Sequence, residues 1–215
     1  MKKLVLAITG AIGIALVCAA CAPPVPPGIL PPNLAVPAGQ GAPPVLNKYL
    51  VPYTAMVAAN DLWTKQPLPA GSVGMNVPKG CDEAVTDYAQ MSDVPEAYEV
   101  LIGCPTSGDI NALYSKVNWS KLTTAGWKPV SGYGTYGSGS RAHVQFYAYS
   151  DEGGDGCWIY MDLFKSGNIL GITGYCDQLD HEGTTLPTIK VAAEQWTAAV
   201  VHQITSAVPA KQVTL

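Results

Sequence analysis

The chain has 215 residues, 48% of them hydrophobic and 13% charged, with 12 Lys+Arg against 16 Asp+Glu for a net charge of −4. A charged fraction about half the usual ~25%, in a chain so rich in apolar residues, excludes general disorder. The acidic balance and a single arginine, Arg141, exclude the dense basic stripe that a nucleic-acid partner requires.

At the N-terminus Met1-Lys2-Lys3 precedes an apolar run over residues 4–17, followed by Cys18-Ala19-Ala20-Cys21. As a helix the run covers ~21 Å, short of a ~30 Å hydrocarbon core, so it predicts the h-region of a signal peptide. An uncleaved anchor reaching Ala22 is the competing reading. The small residues at 19 and 20 and the Pro-rich exit favour cleavage. This segment resembles a bacterial lipoprotein precursor. Ala19-Ala20-Cys21 match the last three positions of the lipobox, and Cys18 stands where Leu is usual. The resemblance implies a signal peptide over residues 1–20 and a lipidated Cys21 carrying acyl chains such as palmitate. It also implies a protein held on the extracytoplasmic face of the cell membrane by that lipid.

Residues 21–47 lack charge and hold half of the 18 prolines. Proline fixes φ and removes the amide donor, so this stretch predicts an extended tether, able to reach up to ~80 Å at ~3.1 Å per residue. Residues 48–215 then form a single domain, long enough for a core. It is too acidic overall to hold anionic lipid by charge.

Within the domain the order reads helix, helix, strands, helix. Tyr49, Tyr53, Met56 and Trp63 make a helical stripe, with Pro52 tolerable only in a first turn. Ser107-Gly108-Asp109 predicts the start of a helix whose apolar face is Ile110, Leu113, Tyr114, Val117 and Leu122 and which ends at Gly126. Strands are expected over 141–149, 157–164 and 168–176. A last helix over 187–207 has Pro187 at its first position and Ile189, Ala193, Trp196, Val200 and Ile204 on one face. The expected fold is therefore α+β, a small antiparallel sheet with helices packed on one face. If Ser166 and Gly167 make a two-residue turn, Cys157 opposes Cys176 and Met161 opposes Ile172. A three-residue loop with left-handed Gly167 is the rival.

Four cysteines fall in the domain: Cys81, Cys104, Cys157 and Cys176. In an exported chain they predict two disulfides. The hairpin register suggests 157–176 and leaves 81–104, while 81–176 with 104–157 stays open. No close Cys pair suggests zinc.

No nucleophile elbow, P-loop or zinc-protease motif is present, and no catalytic residue, metal or cofactor is expected. His143 and His202 read as structural or solvent residues. The acidic group Asp151, Glu152 and Asp155 reads as a solvated hairpin loop. Asp177, Asp180, His181 and Glu182 follow the last strand and support the rival function, a secreted cell-wall hydrolase. The glycine-rich segment 131–140 carries Tyr133 and Tyr136, a pairing of adaptable backbone and broad aromatic contact that suits ligand binding. Leu122-Thr123-Thr124-Ala125-Gly126-Trp127 and Gly171-Ile172-Thr173-Gly174-Tyr175-Cys176 give the domain a layout that resembles small actinobacterial envelope lipoproteins of the LppA type. That resemblance implies an α+β envelope domain without known catalysis. The expected role is non-enzymatic: binding, sensing or envelope assembly, with an envelope ligand or protein as partner.

Overall fold

The computed structural model describes residues 29–30, 41–66, 76–90, 95–130, 142–150, 157–179, 184–206 and 210–215, with 142–150 and Cys157 described by backbone alone. A 3-10 helix (Leu46–Tyr49) and α1 (Tyr53–Val57) lead into β1 (Thr64–Gln66), β2 (Asp82–Ala89) and β3 (Glu96–Gly103). Then come α2 (Ser107–Ser115), α3 (Trp119–Thr124), β4 (Lys128–Pro129), β5 (Ala142–Ser150), β6 (Cys157–Ser166), β7 (Ile169–Gln178) and α4 (Leu186–Thr205). The strands form one antiparallel sheet in the order β1-β2-β3-β7-β6-β5-β4. Five long strands carry it, and β1 and β4 are short edge pieces. The fold is α+β.

Side chains alternate along the strands and so build two cores. Tyr98, Val100 and Ile102 of β3, Ile159, Met161 and Leu163 of β6, and Leu170, Ile172 and Cys176 of β7 share one core with Ile110, Leu113, Leu122 and Trp127. The intervening positions, among them Ala97, Leu101, Tyr160, Phe164 and Tyr175, share the other with Ile189, Ala193, Trp196 and Val200 of α4. The expected helix on one face of an antiparallel sheet is thus α4. The opposite face is covered as well, by α2 and α3. A strand buried on both sides loses its polar alternation, and all of β3 is buried.

Each helix ends for a local reason. The N-cap of α2 is Thr106, one residue before the expected start. Thr106 Oγ1 accepts from Asp109 N at 3.2 Å, and Thr106 N donates to Asp109 Oδ2 at 3.0 Å. The single helix expected from 107 to 126 is two, broken at Lys116–Asn118, where Asn118 N donates to Ile29 O at 2.8 Å. Gly126 then closes α3 at φ +95°. Trp127 N donates to Leu122 O and Gly126 N to Thr123 O, the paired bonds that a left-handed residue permits. The helix expected over the Tyr49–Trp63 stripe is also broken. Val51 precedes Pro52, which disfavours helical backbone there. Val51 instead donates its N–H to Glu99 Oε1 at 2.7 Å and accepts from the Tyr88 hydroxyl at 2.6 Å.

Two expectations need correction. Cys157 pairs with Gln178 and Cys176 with Ile159, so the β6–β7 register is offset by two positions from the expected one. The turn is Gly167-Asn168, with Gly167 at φ +58°. It keeps two residues but takes the left-handed glycine of the rival loop. An offset of two preserves which side chains face which core, so burial alone could not separate the two registers. The second correction concerns the stretch read as tether. Ile29 and Leu30 are fully buried in the α2–α3 core, and Leu46 is buried in the α4 core. Parts of 21–47 therefore belong to the fold.

Candidate functional site

The end of the sheet around Cys176 holds the described part of the expected acidic cluster. Asp177 opposes Trp158, and Tyr175 opposes Tyr160, all on the α4 face. Asp177 Oδ1 accepts from Gln178 N at 2.8 Å. Burial raises the Tyr175 hydroxyl well above its ordinary pKa, and the Asp177 and Cys176 charges add to the rise. Burial likewise raises Tyr160. The hydrolase reading needs a second acid within roughly 5–9.5 Å of Asp177. Asp87 and Glu96, in register with Tyr98 and Cys176, point to the opposite face. Glu99 shares the α4 face, but it pairs with Thr173, about 13 Å along β7 from Asp177 at ~3.3 Å per residue. Asp162 pairs with the same Thr173. Asp180, His181 and Glu182 lie outside the described residues.

Beneath α4 a polar row crosses the sheet. Thr86, Glu99, Thr173 and Asp162 are in register on β2, β3, β7 and β6, and all four are buried. Thr173 Oγ1 and Thr197 Oγ1 of α4 share a hydrogen bond of 2.6 Å. If Thr173 donates it, the Thr197 proton is left to face Asp162. Among the described residues Thr86 Oγ1, Glu99 Oε2 and both Asp162 oxygens make no hydrogen bond. Burial pushes Glu99 up to about 8, against the bond from Val51. Burial also pushes Asp162 well above the carboxylate range. The Thr197 hydroxyl eases that rise, and the Glu194 charge adds to it. Near neutral pH Glu99 is thus held as a carboxylic acid, and the burial that raises Asp162 favours its neutral form in the same way.

On the other face, burial pushes Asp87 up to about 6, eased by hydrogen bonds from Glu96 and the Tyr88 backbone. The buried Cys176 Sγ donates to Glu96 Oε2 at 3.6 Å. Register places Cys176 diagonal to Cys157, so the direct opposition that suggested a 157–176 bond is absent. The expected Cys81–Cys104 disulfide is present. It continues the β2–β3 register, with Cα atoms 4.4 Å apart, the spacing of a non-hydrogen-bonded cross-strand pair. Accordingly Cys81 N and Cys104 N donate elsewhere, to Pro78 O and Asn168 O.

Cys21, Tyr133, Tyr136, Asp151, Glu152 and Asp155 lie outside the described residues. His202 is exposed in the last turn of α4. The buried acids Asp87, Glu96, Glu99 and Asp162 were not singled out by sequence. Their signal was an acid at a core-facing step of an apolar run, as in Tyr160-Met161-Asp162-Leu163-Phe164. Among the described residues no helix is long and apolar enough to cross a membrane, and no group of three or more His, Cys, Asp or Glu is placed to hold a metal. No protein-family model matches the chain, and no curated protein matches it.

Proposed function

We propose that the protein is an extracytoplasmic lipoprotein, anchored to the cell membrane by lipid on Cys21, whose domain binds an envelope ligand or protein without turning it over. The observation that carries this reading is Ala19-Ala20-Cys21 directly after a lysine-headed apolar run. The Cys81–Cys104 bond supports it, because such bonds persist in oxidising compartments. The non-catalytic half rests on Asp177, which has no second acid at hydrolase spacing on its own face among the described strand residues. The other acids in the described strands are divided between the faces or covered by α4, and Tyr133 and Tyr136 remain the preferred contact residues.

Metabolic labelling with a fatty-acid analogue tests the anchor. The wild type is expected to take the label, and Cys21→Ser is expected to lose it and to leave the membrane fraction. An unlabelled mature wild-type chain beginning at another residue would overturn the reading.

A further inference from the structure

Chain length and charge both bear on how the domain stands over a membrane. Ile29 and Leu30 are fully buried among residues of the α2–α3 core, and Ile29 O accepts from Asn118 N at 2.8 Å, at the break between the two helices. Cys21 and Ile29 are eight positions apart, so the chain between them has eight Cα-to-Cα steps. Fully extended they span at most ~29 Å, at ~3.6 Å per residue. An anchor at Cys21 therefore holds the α2–α3 corner within that distance of the bilayer, however the residues between are arranged. The longer Pro-rich reach lies beyond Leu30, on the far side of the point where the chain enters the core.

The surface at that corner carries the charge that suits such a position. Lys116 ends α2, Lys121 lies on α3 and Lys128 begins β4, and all three are exposed. The one acid between Thr106 and Val130 is Asp109, whose carboxylate is taken up in the α2 cap. The chain as a whole is net negative, so this corner runs against the overall charge. α4, on the opposite face of the sheet, carries one lysine and one acid, the half-buried Lys190 and Glu194, and exposes Val191 and His202, so it has no such excess of lysine.

We propose that the α2–α3 corner is the membrane-facing surface of the domain and that Lys116, Lys121 and Lys128 rest it on anionic phospholipid headgroups. α4 and its face of the sheet then point away from the bilayer, toward the envelope. The inference rests on the lipid-anchor reading for its starting point at Cys21. Each lysine near an anionic surface contributes about 1 kcal/mol. Three of them are too few to bind an acidic domain from solution, and enough to orient one already tethered.

The test uses the full-length lipidated protein in vesicles of phosphatidylcholine, with and without phosphatidylglycerol. A donor dye is placed through a clickable non-natural residue at Ser120 on α3 or at Val191 on α4, and a headgroup-labelled lipid serves as acceptor. Energy transfer is expected to be several-fold stronger from position 120 than from 191. Phosphatidylglycerol should widen that difference, and Lys116→Glu/Lys121→Glu/Lys128→Glu should remove the widening. An insertion of about ten Gly/Ser residues between Pro24 and Val25, which adds up to ~35 Å of reach, should lower transfer from position 120. Equal transfer from both positions, or stronger transfer from 191, in protein shown by mass to carry lipid overturns the orientation and leaves the anchor standing. A mature protein shown by mass to carry no lipid overturns the anchor itself.

Discussion

The two faces of the sheet solve the same covering problem with different means. On one face the cover comes in pieces: the nine-residue α2, the six-residue α3 and the Ile29–Leu30 segment, with the Cys81–Cys104 bond beside them. On the other, a single 20-residue helix, α4, spans the sheet over a row of buried polar groups. Short helices are marginal alone and depend on the surface they pack on, so the centre of the α2–α3 core is apolar and its acids sit at one end. A long helix tolerates a polar centre because it brings a hydroxyl, Thr197, to the row and spreads its own docking over many residues. Patchwork cover demands a dry sheet, and continuous cover does not.

The comparison is broken most directly at Trp196. It is fully buried at the middle of α4, and its Nε1 donates to Tyr98 O of β3 at 2.8 Å. Trp196→Ala is expected to cost about 3–5 kcal/mol in urea unfolding. It should also raise hydrogen exchange along α4 more than along α2, since this bond ties the middle of α4 directly to the β3 backbone.

Acidity sharpens the comparison. Glu99, pushed up to about 8 from 4.5, holds its proton in the folded state across a range where the unfolded chain has lost it. The unfolded state then binds fewer protons, so stability falls as pH rises from about 4.5 through about 8. Asp87 adds a smaller fall of the same sign between 3.8 and about 6. The whole effect is on the order of a few kcal/mol, since each tenfold difference in proton affinity is worth about 1.4 kcal/mol. Chemical unfolding at several pH values should show it. Glu99→Gln, which keeps the Val51 bond, is expected to flatten the upper part of the curve, and an unchanged slope would show that Glu99 is not the group responsible.

A pair of glycines probes the faces on equal terms. Phe164 lies over Gly171 on the α4 face, and Tyr98 lies over Gly174 on the other. A Cβ would come within 2.2 Å of the first ring and 2.1 Å of the second. Each Gly→Ala change is expected to cost about 1–3 kcal/mol by overpacking. Thermal melts of the two variants report which cover yields more easily. The α2–α3 face, covered in pieces, should take the smaller loss.

Legibility from sequence followed local signals. The α4 stripe, the Gly126 stop and the three C-terminal strands were readable because each has one dominant period or one residue of special backbone freedom. β2 and β3 were not assigned. Their acids Glu83, Asp87, Glu96 and Glu99 interrupt the apolar pattern, and nothing local marks these positions as core-facing. The two-position slip in the β6–β7 register has a similar origin, since either turn puts the same side chains in the same cores. Ile29 and Leu30 were hidden by their proline-rich surroundings, which describe backbone stiffness and not burial. Of the candidate site, the cysteine pair 81–104 was one of the pairings the spacing left open, and the register argument in its favour does not hold in the structure. The buried acids were not legible, because an acid in a strand reads as a solvent-facing residue until a second layer is known to cover it.

The Cys81–Cys104 bond also decides what a protease would leave behind. It joins the chain just before β2 to the chain just after β3, while the connection between those strands runs through residues 90–95. A nick in that connection divides the polypeptide in two without parting it. The N-terminal piece, with the proposed anchor, ends on β2, and it stays joined to everything from β3 onward by one sulfur–sulfur link, by the pairing of the two strands and by contacts such as Asn118 N to Ile29 O, Val51 N to Glu99 Oε1 and Val213 N to Ala55 O. Clipped there, the two pieces stay covalently joined until a reductant breaks the bond, after which only strand pairing, packing and hydrogen bonds hold them together.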